Sequence, residues 1–392
     1  MTLLLSAAVA AGTDRPEQVA ALAGRLRALD PVRVVHADPA TALVRAWRAA
    51  AGTGSTHHLV VRDGARLAPE FAAELARAVA GRPRAALALH VEYGSWNAAA
   101  ARLAALRGCG WAAAVPQDCL SPLALLLPSE LAVPFAEFAN VALAAGGPPN
   151  ALLSRFAREH RLDVLIHVGN LAAGPVDSLL RPAAQDCDCS AALPYDGRLR
   201  DEVSPLPAVL PLLHGGRARI SLWDPGTDTW RRATWSAHMD RIGGDWPGAA
   251  PAAAFVAITD RVPPPARERL LPLTEVVRYG LALGAALGRA PAESAAPTLR
   301  PWLCAAVLDA VGPVPARGWP DAWTTELTDV LWRAVGLGAR LQANHGVRRW
   351  SGPQLARLPV DAPLCGAPDP AAADPCDPIE HGPDPVSPAW HR

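Results

Sequence analysis

The sequence predicts an α/β protein with a layered, mostly parallel sheet. Two features of the first half carry this expectation. Short apolar runs alternate with segments of 10–15 residues, and those segments show the three-to-four residue spacing of amphipathic helices. Strands alternating with helices of that length indicate crossover connections and a sheet covered on both faces. A third observation is capacity. Half of the 392 residues are hydrophobic (51%), enough to bury a sizeable core.

The elements follow in order. Residues 2–10, TLLLSAAVA, form an apolar run with no basic residues ahead of it, so it reads as a buried first strand rather than a secretory leader. Val19, Leu22, Leu26 and Leu29 then mark one helical face. Residues 32–37 are strand-like, and 39–50 are helical, with Leu43 and Trp47 four apart. HHLVV (57–61) is the third strand, and Leu67, Phe71, Leu75 and Val79 step by four after it. Residues 84–92 give a fourth strand, 97–108 a helix and 121–128 a further strand. Pro128 and Ser129 open a helix carrying Leu131, Phe135 and Phe138. A helix at about 150–160 leads into DVLIHV (163–168).

Beyond residue 171 the alternation stops. Residues 218–235 have alternating runs on either side of a Pro-Gly turn, the pattern of a hairpin. Helices are expected at 268–288, 298–311 and 321–341, the last with a stripe of Leu327, Val330, Leu331 and Val335. The expected organisation is an α/β domain over 1–180, a loop and β-hairpin segment over 181–262, a helical region over 263–345 and a Pro-rich, disordered tail over 346–392.

Charge and cysteine usage exclude several classes. The formal net charge is +0 with acids and bases interspersed, so no basic face for nucleic acid is expected. Every basic residue is Arg or His; there is no Lys, and so no phosphate-binding loop ending in Gly-Lys. The first strand is followed by AAGTDRPEQ, not a dinucleotide fingerprint, and no G-x-S-x-G nucleophile elbow occurs. Seven cysteines at irregular spacing argue against a disulfide framework and for a reducing, cytoplasmic setting. No apolar run reaches the ~18 residues of a membrane span.

The chemistry-bearing stretch is HHLVVRDGARLAPEFAAEL (57–75), an apolar strand ending in Asp63 before a helix. In sheets of this class ligands bind beyond the carboxyl ends of the strands. Together with HVEYGSWNAAAARLAALRGCGW (90–111), residues 121–139 and residues 150–172, this stretch resembles GT-A-type glycosyltransferases, and in particular an actinobacterial group of glycosyltransferase-like proteins. In that family the strand ends in Asp-x-Asp or Asp-Asp. The resemblance implies a nucleotide-sugar donor, an unknown acceptor and a divalent metal, Mn²⁺ or Mg²⁺, that neutralises the leaving diphosphate.

Carried onto this sequence, the resemblance makes Asp63 the metal carboxylate and Arg62 a diphosphate contact. Glu92, ending the fourth strand, is the candidate base for the acceptor, and Asn150 a candidate sugar contact. The sequence departs from the pattern in three places. Gly64 stands where a second carboxylate is usual, Asn150 where another acid is expected, and residues 168–180 lack the downstream His-acid cluster of the family. The departures leave a second function open: a catalytically degenerate binding or scaffold protein on the same fold. Asp63 keeps a structural reading too, since Asp-Gly is a strong turn signal. His57 and His58 read as packed histidines. Asp186-Cys187-Asp188-Cys189 and the set Cys365, Cys376 and His381 are weak zinc candidates. Most tryptophans, Trp223, Trp230 and Trp235 among them, read as core, with Trp96 closest to the candidate site.

Overall fold

A computed structural model describes residues 3–12, 16–92, 95–174, 197, 199–214, 217–224, 229–233, 270–289, 291–292, 299 and 321–344. The chain opens with β1 (Leu5–Ala11), α1 (Pro16–Arg25), β2 (Val32–His36), α2 (Pro39–Arg48) and β3 (His57–Arg62). A two-residue strand β4 (Arg66–Leu67) precedes α3 (Phe71–Gly81), β5 (Ala86–Ala88), α4 (Trp96–Leu106) and β6 (Cys109–Ala113). Then come β7 (Ala124–Pro128), α5 (Ser129–Ala144), a 3₁₀ turn at Pro149–Ala151, α6 (Leu152–His160), β8 (Val164–His167) and β9 (Ala172–Ala173). The later part holds β10 (Arg200–Ser204), β11 (Val209–His214), β12 (Arg217–Asp224), β13 (Thr229–Ala233), α7 (Leu270–Leu287) and α8 (Asp321–Asn344).

Eight strands form one sheet in the order β10-β6-β8-β5-β7-β3-β1-β2. It is mixed but mostly parallel. β1 pairs in parallel with β2 and β3, β5 with β8 and β6 with β10, while β7 runs antiparallel between β3 and β5 and β6 antiparallel to β8. Because β2 and β3 lie on opposite sides of β1, the chain reverses direction across the sheet at β1. In open α/β sheets such a reversal marks the place, outside the carboxyl ends of the strands, where ligands bind.

Small side chains make the layering possible. Every residue of β1, LSAAVAA, is buried. Ala7, Val9 and Ala11 face one core with α1 and α3, and Ala8 and Ala10 face the other with α2, α4, α5 and α6. α4 is buried on all sides, from Asn97 to Leu106, because the core on its sheet side continues beyond it through Leu210, Leu212, Trp223 and Trp230 to α7 and α8. Local signals set the helix starts. Asp38 caps α2 by accepting from Thr41 N–H at 3.1 Å, and Ser95 caps α4 by accepting from Ala98 N–H at 3.0 Å.

The structure corrects several boundaries. Leu67 belongs to β4, and α3 starts at Phe71; Pro69 disfavours helical geometry in the residue before it. β6 and β10 were not anticipated. β6 is five residues, CGWAA, with a glycine in it, and β10 is a polar edge strand, RDEVS. The expected hairpin is present as β12–β13, extended by β11 into a three-stranded antiparallel sheet. The expected helix at 298–311 and the tail at 346–392 lie outside the described residues, with Leu299 the one exception. Among the described residues no helix is long and apolar enough to cross a membrane.

α7 and α8 touch through glycines. A Cβ on Gly284 would collide with the Val335 carbonyl, and one on Gly280 would come within 2.7 Å of Ala334 Cβ. Gly24, in α1, has nothing within 4 Å of such a Cβ. Gly284→Ala is therefore expected to lower stability by about 1–3 kcal/mol through overpacking. Gly24→Ala should be neutral or raise it by about 0.5 kcal/mol. Urea denaturation of the two variants checks both; equal midpoints would remove the close helix contact.

Candidate functional site

The sheet's carboxyl rim is built around Gly12, the residue after β1. The ladder between β1 and β3 continues past both strands, with Asp63 N–H donating to the Ala10 carbonyl at 2.9 Å. Asp63 then turns its carboxylate back, and Oδ2 accepts from Gly12 N–H at 2.8 Å. His36, at the end of β2, donates from Nδ1 to the Gly12 carbonyl at 3.3 Å. One residue thus joins the ends of β2, β1 and β3. Gly64 follows with φ 80°, the left-handed geometry of an Asp-Gly turn. The turn reading of Asp63 is realised, and its side chain points along the rim, not away from it.

The other candidates are spread along the same sheet. Arg62 is half-buried, on the face shared with Val60 by the strand's alternation. Glu92 is exposed beyond β5, and its carbonyl accepts from Ser95 N–H at 3.3 Å and Ser95 Oγ–H at 2.9 Å. β7 lies between β3 and β5, so Asp63 and Glu92 stem from strands about 10 Å apart. Asn150 sits in the 3₁₀ turn before α6, where its carbonyl accepts from Leu120 N–H at 2.8 Å. No hydrogen bond among the described residues links Asn150 to Asp63 or Glu92.

The carboxylate predicted to hold a metal has one oxygen engaged by Gly12. Among the described residues no group of three or more His, Cys, Asp or Glu converges as a ligand set. Asp63 is therefore the one carboxylate that the structure places at the end of β3, with Oδ2 accepting from Gly12 N–H. Asp186-Cys187-Asp188-Cys189 and the set Cys365, Cys376 and His381 lie outside the described residues, as does Trp235.

The packed readings of the histidines and tryptophans are found. His58 is buried, accepting at Nδ1 from Ser6 Oγ–H (2.8 Å) and donating from Nε2 to the Ala46 carbonyl (2.9 Å). Burial pushes its pKa down to about 4, so the ring is neutral. His57 donates from Nε2 to the Pro83 carbonyl at 3.0 Å. Trp223 and Trp230 are core residues, and half-buried Trp96 lies 6.3 Å from Trp230.

The sequence reading missed the polar fastening around α4. Asp118, in the β6–β7 connection, is buried, and its Oδ2 accepts from Asn97 N–H at 2.6 Å. Asn97 in turn donates from Nδ2 to the Cys119 carbonyl at 3.0 Å and accepts at Oδ1 from Val115 N–H at 2.7 Å. Ser154 Oγ–H donates to the Asp118 carbonyl at 2.7 Å, tying in α6. Asn170 works likewise at the end of β5, its side-chain amide pairing both backbone groups of Val91 at 2.8 and 3.3 Å. Asp118 and Asn170 sit in loops with no periodic signal, and Asn97 and Ser154 are polar positions in helices. Burial, with the charge of nearby Glu92 as a smaller cause, pushes the Asp118 carboxyl up to about 7, against the hydrogen bonds that lower it.

No protein-family model matches the chain, and no curated protein matches its sequence.

Asp118 makes stability depend on pH in a defined direction. Its folded pKa lies above the unfolded value of 3.8. Its favourable contribution is therefore complete below about pH 4 and is lost as pH rises toward 7. Asp118→Asn keeps an acceptor for Asn97 N–H and cannot ionise. The variant should gain on the wild type between pH 4 and 7 in urea titrations; a stability difference that does not vary with pH would contradict the raised pKa.

Proposed function

We propose that this chain is a glycosyltransferase-like protein that binds a nucleotide-sugar across the carboxyl rim of β1 and β3. The observation that carries the reading is the rim itself. Gly12, Asp63 and His36 tie three strand ends together at the point where the chain reverses across the sheet, the position at which open α/β sheets hold nucleotides. Arg62 lies beside it as a fork for phosphate oxygens. Glu92, two strands away and exposed, would act as base on the acceptor hydroxyl. A carboxylate in water is a weak base at neutral pH, so this step needs the acceptor to shield Glu92 from solvent.

A second reading, the same fold binding a nucleotide-sugar without transferring it, is favoured by one observation. The Asp63 carboxylate already serves Gly12. With Asp63 as its protein ligand, a Mg²⁺ or Mn²⁺ ion would draw most of its ligands from diphosphate and water.

Calorimetric titration with UDP- and GDP-sugars, with and without Mn²⁺, separates the readings. Binding is expected from at least one of them. If transfer operates through a metal, Mn²⁺ should strengthen binding about tenfold or more, and Asp63→Asn should abolish that gain while leaving metal-free binding. Binding indifferent to Mn²⁺ in both proteins selects the binding-only reading. No binding by any nucleotide-sugar overturns the proposal.

A further inference from the structure

The two edges of the eight-stranded sheet are built differently. β10, at one edge, carries Arg200, Asp201 and Glu202 in succession. Charge along an edge discourages pairing with another chain. β2, at the other edge, reads Val32, Arg33, Val34, Val35, His36. It has one guanidinium, and Val34 is 40% exposed. Its register with β1 runs without a bulge, and among the described residues only β1 pairs with it.

The hydrogen-bond phase of β2 decides which groups it offers. The Pro31 carbonyl accepts from Ala7 N–H at 2.9 Å, and Ala37 N–H donates to the Ala11 carbonyl at 3.2 Å. A residue's N–H and C=O leave a strand on the same side, and that side alternates along the strand. Pro31, Arg33, Val35 and Ala37 therefore turn toward β1. Val32, Val34 and His36 turn their N–H and C=O outward, to the open edge. The side chains alternate between faces with the same period. Val32 packs against the core that holds α1, and Val35 and Ala37 against the core that holds α2.

We propose that β2 is a self-association edge, through which two copies of this chain pair antiparallel about a two-fold axis at Val34. The inference is independent of the nucleotide-sugar reading. The edge is complementary to itself. With Val34 opposite its own copy, Val32 lies opposite His36 of the second copy. All the outward residues then form hydrogen-bonded pairs, about six bonds, and each exposed valine covers the other. Arg33 stands opposite Val35, so no like charges meet directly. The two Arg33 side chains are diagonal neighbours, exposed and long enough to turn apart. Sliding the pair by two residues loses the match. One shift sets Arg33 against Arg33; the other sets Val32 against Asp38, the cap of α2. A two-fold pair also closes on itself, whereas β2 laid on β10 would leave an edge open at each end. A five-residue strand buries less than the ~1,200 Å² of stable interfaces. The dimer is therefore weak, with a Kd on the order of 0.1 mM.

Sedimentation equilibrium of the full chain, from about 10 μM to about 1 mM, spans that range. The expected mass rises from one copy to two and stops there. Amide exchange at Val34 should slow over the same range, while Arg33, bonded to β1, keeps its rate. Val34→Pro removes an outward donor without touching the β1 ladder, and Val34→Lys sets two charges against each other. Each should weaken the dimer about tenfold or more, with the melting temperature of the dilute protein confirming that it folds. Val203→Lys, at the 42% exposed valine of β10, should change nothing. The inference is overturned by a single-copy mass throughout, by association unchanged in both Val34 variants, by loss of association in Val203→Lys, or by a mass that climbs past two copies, which would mean open head-to-tail pairing.

Discussion

The hydrogen bond from Gly12 N–H to Asp63 is the contact on which the rest of the rim depends. β1 ends there, and without an acceptor its last amide would be left unpaired at a half-buried position. A hydrogen bond to a charged acceptor contributes about 1.5–3 kcal/mol, and the larger effect of losing it is the exposure of an unsatisfied donor. Asp63 also fixes where β3 stops. The left-handed Gly64 after it swings the chain into β4, which pairs with β9 from beyond β8. One carboxylate therefore shapes both the end of β1 and the approach to the β4–β9 ladder.

The second constraint is the use of alanine. β1 and α4 carry small residues where larger ones would hold the layers apart. This lets α4 lie buried between the sheet and the second layer made by β11–β13 and α7. Glycine takes the same economy further between α7 and α8, where backbone meets backbone. Bulk is supplied at few places, notably Trp47 against Phe135 at 5.2 Å between ring centroids.

The elements legible in the sequence were those whose burial pattern is periodic. β1, β3 and β7 are continuous apolar runs, and α3 and α5 carry stripes of Leu and Phe, so their types follow from side-chain spacing alone. β6 and β10 were illegible because their pattern depends on neighbours distant in sequence: Gly110 is tolerated because Arg200 backbone packs against it, and β10 is polar because it is an edge. Asp63 was recognised as the residue that ends β3 at the rim, but its partner Gly12 was not, since no local signal marks a donor 51 residues away. Asp118 and Asn170 were missed for the same reason; each replaces regular backbone pairing with a side chain, which spacing does not encode.

At the β1–β3 rim the Gly12 amide and the Asp63 carboxylate close the ladder. The most direct measurement of the central contact is the hydrogen-exchange rate of the Gly12 amide in the wild type, Asp63→Asn and Asp63→Ala. Protection in the first two, where an oxygen acceptor remains, and fast exchange in the third is the expected result. A Gly12 amide that exchanges equally fast in the wild type and in Asp63→Ala would contradict it.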